Sequence, residues 1–375
     1  MENLYSNQNY MQVTPFIPKQ LPRKINYENI IQEITNAHRA IAALDASLNH
    51  LPNPKILGKT MQTKEAVLSS KIEGTHASLN EVLKHEAKAV IEDESKKEDI
   101  NEITSYRDAL NHGVQYLQAK PISKSLIKKL HEILLRTERG KNKAPGFFRE
   151  KQVYIGRYGA SINEASFIPP AAAEIDRLIS NLEKYLNSTD EKDKLVQVAV
   201  ARYQFEAIHP FLDGNGRVGR LLISLFLYKE KLLTHPFLYL SEFFEENRQD
   251  YYALLSGASE VGDIESWVKF FLYALTVQAD KAKQTTDEIL TLHNKLKEEM
   301  PKMSSVYSYN LLDAIFMHPV FSTSSIRKES KINNTQTLFN LIDKFQKAGI
   351  VRLSKTSKKR NKIYIFDDLV RIINS

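Results

Sequence analysis

His209-Pro210-Phe211-Leu212-Asp213-Gly214-Asn215-Gly216-Arg217-Val218-Gly219-Arg220 places one imidazole, one carboxylate, three glycines, one asparagine and two arginines within twelve residues. Upstream, Leu195 to Ile208 is made of helix formers with apolar residues recurring near the 3.6-residue period. Downstream, Arg217 to Tyr228 reads as a second helix. Pro210 stops the first helix and biases His209 toward extended backbone, which puts the imidazole at a helix end. Gly214, Asn215 and Gly216 can adopt positive φ, so that consecutive N–H groups converge on one point at the positive end of the second helix. Arg217 and Arg220, three apart, fall on one helix face and can grip neighbouring phosphates bidentately. Asp213 is repulsive in such a cradle unless a cation intervenes, and Mg²⁺ binds through one or two carboxylates plus substrate phosphates. The residues therefore describe a Mg²⁺–nucleotide site with a histidine beside it.

These twelve residues resemble the signature of the Fic (Fido-fold) proteins, His-Pro-Phe-x-Asp/Glu-Gly-Asn-Gly-Arg-x-x-Arg, at every defined position. The resemblance implies a mainly α chain: a Fido-fold helical bundle with a β-hairpin flap. It implies a protein adenylyltransferase that moves AMP from ATP to a Ser, Thr or Tyr hydroxyl of a protein, itself included. His209 is then the general base, Asp213 the Mg²⁺ ligand, Gly214, Asn215 and Gly216 the cradle for developing charge, and Arg217 and Arg220 the grip on the β- and γ-phosphates. Tyr239 and Asn247 fall where relatives contact adenine or ribose. Upstream, Ser69-x-x-x-Glu73-Gly74 resembles the inhibitory motif of regulated Fic proteins, in the subgroup with an N-terminal inhibitory helix. It implies that Glu73 pairs with Arg220 and takes the guanidinium needed by the γ-phosphate. The same glutamate supports removal of AMP in some relatives, so de-AMPylation stands as an alternative. Phosphate transfer is disfavoured, because Doc-like relatives carry Lys where this chain has Gly216.

At 375 residues, 42% hydrophobic and 26% charged, the chain reads as soluble, globular and divided into two or three domains. The expected division is an N-terminal arm and helical region with the inhibitory motif (1–100), a catalytic domain (101–300) and a C-terminal domain (301–375). The absence of cysteine excludes disulfides, thiolate metal sites and a Cys nucleophile, and fits a reducing, cytoplasmic location. Met1 to Gln12 lacks the basic and apolar blocks of a secretion signal, and Leu221 to Leu233 is interrupted by Lys229, Glu230 and Lys231, so no membrane span is expected. From Lys302 onward 13 Lys+Arg face 5 Asp+Glu, a net of +8, against +7 for the whole chain, so the basic character belongs to the tail.

In chain order, Thr14 to Lys24 reads as an extended proline-rich arm. Tyr27 to Leu51 and Thr60 to Ile72 read as helices, with Gly74 suited to a C′ position. Thr75 to Ile91 continues as helix, and Glu92 to Asp99 is a charged turn. Ile100 to Gln118 and Ser123 to Leu135 follow, with Ser123 as N-cap and His131 in a structural position. Gln152 to Ile155 and Ala165 to Ile168 bracket the turn-rich Gly156 to Glu164 as a hairpin, the flap that the resemblance places over the target chain by strand addition. Ala171 to Leu186 returns to helix, Glu245 to Leu255 is another, and Ile264 to Thr276 and Asp280 to Met300 read as a pair. Tyr309 to Met317, Thr323 to Glu329 and Thr335 to Lys347, then strands Ile350 to Leu353 and Lys362 to Phe366 around the basic tip Ser354 to Asn361, resemble a winged helix–turn–helix. Asn333, Asn334, Thr335 and Gln336 are polar enough to face bases, so a DNA-binding regulator with a regulatory or vestigial Fic domain is the competing function. The partners expected are ATP and a protein hydroxyl, with DNA and a second copy of the chain as further candidates.

Overall fold

The computed structural model describes residues 14–374 apart from 52, 90, 92, 157–160 and 356–361. The leader region 1–13, the turn of the expected flap and the basic tip of the expected wing thus lie wholly or partly outside the described residues. The arm runs extended from 14 to 26 and is tied to the body by Phe16 N–H to Ile168 C=O (2.8 Å) and by Asn181, which bonds both the N–H and C=O of Leu21 (2.8 and 3.1 Å). The helices that follow are α1 (Ile31–Asn49), α2 (Pro54–Ile72), α3 (Leu79–Glu86), α4 (Glu94–Leu117), α5 (Lys124–Leu134), α6 (Ile175–Leu186), α7 (Lys194–Ile208), α8 (Asn215–Lys229), α9 (Ser241–Glu246), α10 (Arg248–Glu260) and α11 (Ile264–Glu299). The C-terminal unit is α12 (Ser308–Met317), β1 (Val320–Ser322), α13 (Thr323–Glu329), α14 (Thr335–Lys347), β2 (Arg352–Leu353), β3 (Ile363–Ile365) and α15 (Asp367–Asn374).

α7 and α8 are apolar on nearly every face and are buried nearly throughout, so they form the centre of the bundle. α1, α6 and α11 pack on α7, while α2, α4 and α5 pack on α8. Side-chain caps fix the starts: Asp193 accepts from Leu195 and Val196 N–H for α7, and Ser123 accepts from Leu126 N–H for α5, as its sequence predicts.

Several boundaries differ from expectation for local reasons. Pro54 takes the first turn of α2, where its missing N–H is harmless, so α2 begins six residues before Thr60. Thr75 to Ile91 is not continuous helix: Gly74 ends α2 with φ +99°, and a Ser78–Glu81 capping box restarts the chain as α3. Asp93 caps α4 through Ser95 and Lys96 N–H, so most of the expected charged turn is helix. Asn247 divides the expected helix Glu245 to Leu255 into α9 and α10. The expected pair after Ile264 is one helix of 36 residues, because Val277-Gln278-Ala279 contains no breaker and Gln278 and Ala279 are buried. The expected domain boundary at 100/101 falls inside α4, and the one at 300/301 falls at the end of α11.

All three expected helices of the C-terminal unit are present. β1, β3 and β2 form one antiparallel sheet in that order, and the unit packs through α12 on α2 and through α15 on α11. β1 and α15 were not anticipated. Among the described residues no helix is long and apolar enough to cross a membrane.

Candidate active site

The turn between α7 and α8 is held by side chains from outside it. His209 adopts φ +48°, ψ +61°, not the extended backbone that Pro210 favours. The reason is a clamp: Arg149 Nε donates to His209 C=O (2.9 Å), its Nη2 to Pro170 C=O (2.6 Å), and its backbone N–H to Pro210 C=O (2.9 Å). Gly214 is left-handed (φ +77°), but Asn215 and Gly216 are already helical, so only one of the three expected positions uses positive φ. Asn215 is buried and spends its side chain on the turn: Oδ1 accepts from Phe211 N–H and Nδ2 donates to Phe211 C=O, both at 2.9 Å. His131, fully buried on α5, stacks on Phe211 with ring centroids 3.7 Å apart. Its Nδ1 accepts from Gly146 N–H (2.9 Å), which assigns the proton to Nε2, directed at Asp213 C=O (3.1 Å). Burial lowers its pKa to about 4, so this brace stays neutral.

The first helical bond of α8 is Val218 N–H to Gly214 C=O, so the N–H groups of Asn215, Gly216 and Arg217 precede it at the positive end of the helix. A carboxylate already lies there. A Cβ on Gly216 would stand 2.2 Å from Glu73 Oε1. The same Oε1 accepts from Arg220 Nη2 (2.7 Å), while Arg220 Nε donates to Ser69 Oγ and Nη2 to Ser69 C=O, both at 2.8 Å. The Ser69-x-x-x-Glu73-Gly74 stretch and the motif therefore meet on Arg220, as the sequence predicts. Arg217 diverges from it: it reaches Glu102 of α4 (3.0 Å) and Asp213 (3.3 Å). The two arginines share a helix but not a target. Asp213 keeps its side chain 44% exposed.

The flap is slight among the described residues: one bridge, Ile155 to Phe167, with Ile155 N–H to Phe167 C=O at 2.8 Å. Between it, α7 and α10 lies a cavity of about 360 Å³ lined by Ile155, Phe167, Tyr203, Glu206, Tyr252 and Leu255. Tyr239 lies elsewhere, buried beside Glu65 with Met61, Leu68 and Phe237, against α2. Asn247 Nδ2 donates to Phe243 C=O (2.9 Å) at the α9–α10 joint. No contact described above joins either of them to the 209–220 turn. Residues that sequence reasoning missed are Arg149, Glu102 and Glu206. Arg149 carries no local signal, and its partners lie up to 61 positions away.

With the geometry in place, comparison with known proteins gives a consistent picture. A model of the Fic/DOC family N-terminal region matches residues 31–115, and the Fic/DOC family model matches 121–227. The chain is 32% identical over 161 residues to the protein adenylyltransferase Fic of Drosophila grimshawi, and 31% over 160 residues to that of Drosophila melanogaster. Each match covers 42% of this chain and 28% of the relative, so the chain matches less than a third of those proteins' length. A Fic family protein from Desulfovibrio desulfuricans superposes over 93% of this chain and 98% of its own, with TM-score 0.59 and 21% identity. C. elegans Fic-1 (residues 134–508) does so over 71% of this chain and 75% of its own, with TM-score 0.52 and 21% identity. At those identities the structures speak for the fold.

Proposed function

The chain belongs to the Fic/DOC family, and from that premise we propose that it is a protein adenylyltransferase, transferring AMP from ATP to a Ser, Thr or Tyr hydroxyl of a protein and restrained by Glu73. The observation that carries the reading is that Glu73 meets both Arg220 and the start of α8, and that the same carboxylate lies close enough to His209 to act on its charge.

The hydroxyl oxygen attacks the α-phosphorus, its proton passes to the His209 imidazole, and the bond from the α-phosphorus to the bridging oxygen breaks, releasing pyrophosphate. Burial pushes the His209 pKa below its ordinary value, which keeps the ring neutral and able to accept a proton near pH 7. The N–H groups of Asn215, Gly216 and Arg217 receive charge that develops on the phosphate oxygens, and Arg220, once Glu73 leaves, holds the terminal phosphate. Asp213, a single half-exposed carboxylate beside this cradle, would hold a Mg²⁺, which would supply charge neutralisation to the phosphates. The cavity under the flap, walled by Tyr203, Phe167 and Tyr252, offers aromatic faces to an adenine ring.

The test is labelling with ATP radioactive at the α-phosphate. His209→Ala should lose all incorporation while keeping its circular dichroism and melting temperature; retained labelling overturns the assignment of the base.

A second reading, DNA binding by the C-terminal unit, is favoured by Asn333, Asn334, Thr335 and Gln336, which are exposed at the start of α14 in the basic part of the chain. It is compatible with the first.

A further inference from the structure

Nothing in the transfer just described uses Glu206, yet it is the carboxylate nearest the base. It lies one turn before His209 on α7, with Oε1 3.9 Å from His209 Nδ1. That nitrogen is buried and makes no hydrogen bond of good geometry, and the backbone of Glu206 also lies close enough to favour its protonated form. The other oxygen, Oε2, is held by Arg202 Nη1, and the Arg202 side chain is 0% exposed. Arg202 Nη2 in turn donates to the Tyr251 hydroxyl on α10. The third glycine of the motif makes room for this arrangement: a Cβ on Gly219 would stand 2.7 Å from Arg202 Nη1. A buried arginine fixed by a tyrosine, and a glycine required to admit it, aim one carboxylate at one face of the imidazole.

We propose that Glu206, locked by Arg202, is the positioning residue and charge partner of His209. It favours the tautomer with the proton on Nδ1, facing the carboxylate, and so leaves the lone pair on Nε2 for the incoming hydroxyl. When Nε2 takes that proton the ring becomes an imidazolium, and the Nδ1–H then points at a negative charge fixed beforehand. The proton later leaves Nε2 for water or departing pyrophosphate, and the neutral ring is restored. The catalytic meaning of this assignment rests on the adenylyl-transfer reading; the electrostatic pairing does not.

The charged groups around the pair come from several elements. His209 is faced by Glu206 on its own helix, by Arg149 before the flap and by Glu73 at the end of α2. Glu206 is faced by Arg202, His209 and Arg220. Burial depresses the pKa of the imidazole most, Arg149 adds to that, and Glu206 is the largest influence raising it. Removing the carboxylate charge should therefore drop the His209 pKa further.

The experiment is an NMR titration of the His209 ring nitrogens in the full chain, comparing wild type with Glu206→Gln. The expected result is a pKa lower by about one pH unit, because the charge is gone, and a smaller share of the Nδ1–H tautomer. An unchanged pKa and tautomer overturns the proposal. Should the Gln variant fail to fold because Arg202 loses its partner, Glu206→Asp keeps the charge but draws it away from Nδ1. Its pKa should also fall below wild type, and equality with wild type overturns the pairing. In a Glu73→Gly background, Glu206→Gln should lower kcat about 10-fold or more and move the acid limb of the pH profile to lower pH, a displacement that lost packing in the cavity would not produce. A chain that transfers no AMP even with Glu73→Gly refutes the transfer reading, while the titration still decides on Glu206.

Discussion

Arg220 makes two hydrogen bonds to Ser69 of α2 and one to Glu73 just beyond it, and Glu73 also covers Gly216 at the start of α8. On the adenylyl-transfer reading proposed above, that one carboxylate blocks two features a triphosphate needs, a guanidinium and a helix N-terminus. Glu73→Gly removes both obstructions without touching the base, so labelling from α-labelled ATP should rise at least tenfold over wild type, as an interaction of about 1.4 kcal/mol or more would require. Equal labelling would sink the inhibitory role. Deeper on the same face of α2, Glu65 is buried and accepts from Tyr106 and Ser241 hydroxyls (3.0 and 2.6 Å). Burial raises its pKa from 4.5 to about 7. Because the folded value is the higher one, its contribution to stability is complete below about pH 4.5 and is lost as pH rises through about 7. The loss is on the order of 3 kcal/mol. Urea unfolding of wild type and Glu65→Gln at about pH 5 and about pH 8 should show the Gln variant gaining on wild type at the higher pH; a constant difference would place the carboxyl's titration outside this window.

At the scale of elements, the central helices approach closely because glycines permit it. A Cβ on Gly113 of α4 would lie 2.5 Å from Leu225 Cδ1 of α8, whereas nothing lies within 4 Å of one on Gly257 of α10. Gly113→Ala should therefore destabilise by about 1–3 kcal/mol through overpacking. Gly257→Ala should stabilise by about 0.5–1 kcal/mol through helix propensity. Thermal melts of the two variants test the pair, and shifts of the same sign would contradict the packing of α4 on α8. The element read best from sequence was α5, which has a strong period and the expected cap Ser123; α14 also starts where expected, and the structure shows Asn334 capping it through Thr337 N–H. β1 was missed because three residues, Val320–Ser322, carry no alternation to read; they are strand only through pairing with β3. α11 departs from its expected division for the opposite reason: its surface turns from apolar to polar along its length while the backbone continues unbroken.

For the molecule as a whole, the C-terminal unit does not hang from the bundle. α12 packs on α2, and Lys59 of α2 lies 3.3 Å from His318 and 3.1 Å from Glu86 of α3. The helix that leads into Glu73 is thus held at its other end by the basic unit. If that unit binds duplex DNA, the full chain should retard a labelled duplex at about 50 mM salt, with log K falling linearly in log salt by about 0.9 per phosphate contact. No retardation at low salt refutes the DNA reading and leaves adenylyl transfer untouched.

What the sequence determined by itself was the set of functional groups behind the proposed chemistry. A histidine, an aspartate, a glycine-rich turn and two arginines stand at fixed spacings, and their functional groups and backbone freedoms are local properties. It also linked Glu73 to Arg220 by resemblance, across 147 positions. Only the tertiary structure decided how the cradle is held and filled. Pro210 argued for an extended His209, but Arg149 overrides it from the base of the flap. Arg217 and Arg220 share a helix face in sequence, yet Glu102 and Ser69 draw them to different neighbours. Glu206 carries no motif of its own. Its role comes from Arg202 and Tyr251, brought to it by the packing of α7, α8 and α10, and long-range placement of buried charge is what a one-dimensional pattern does not encode.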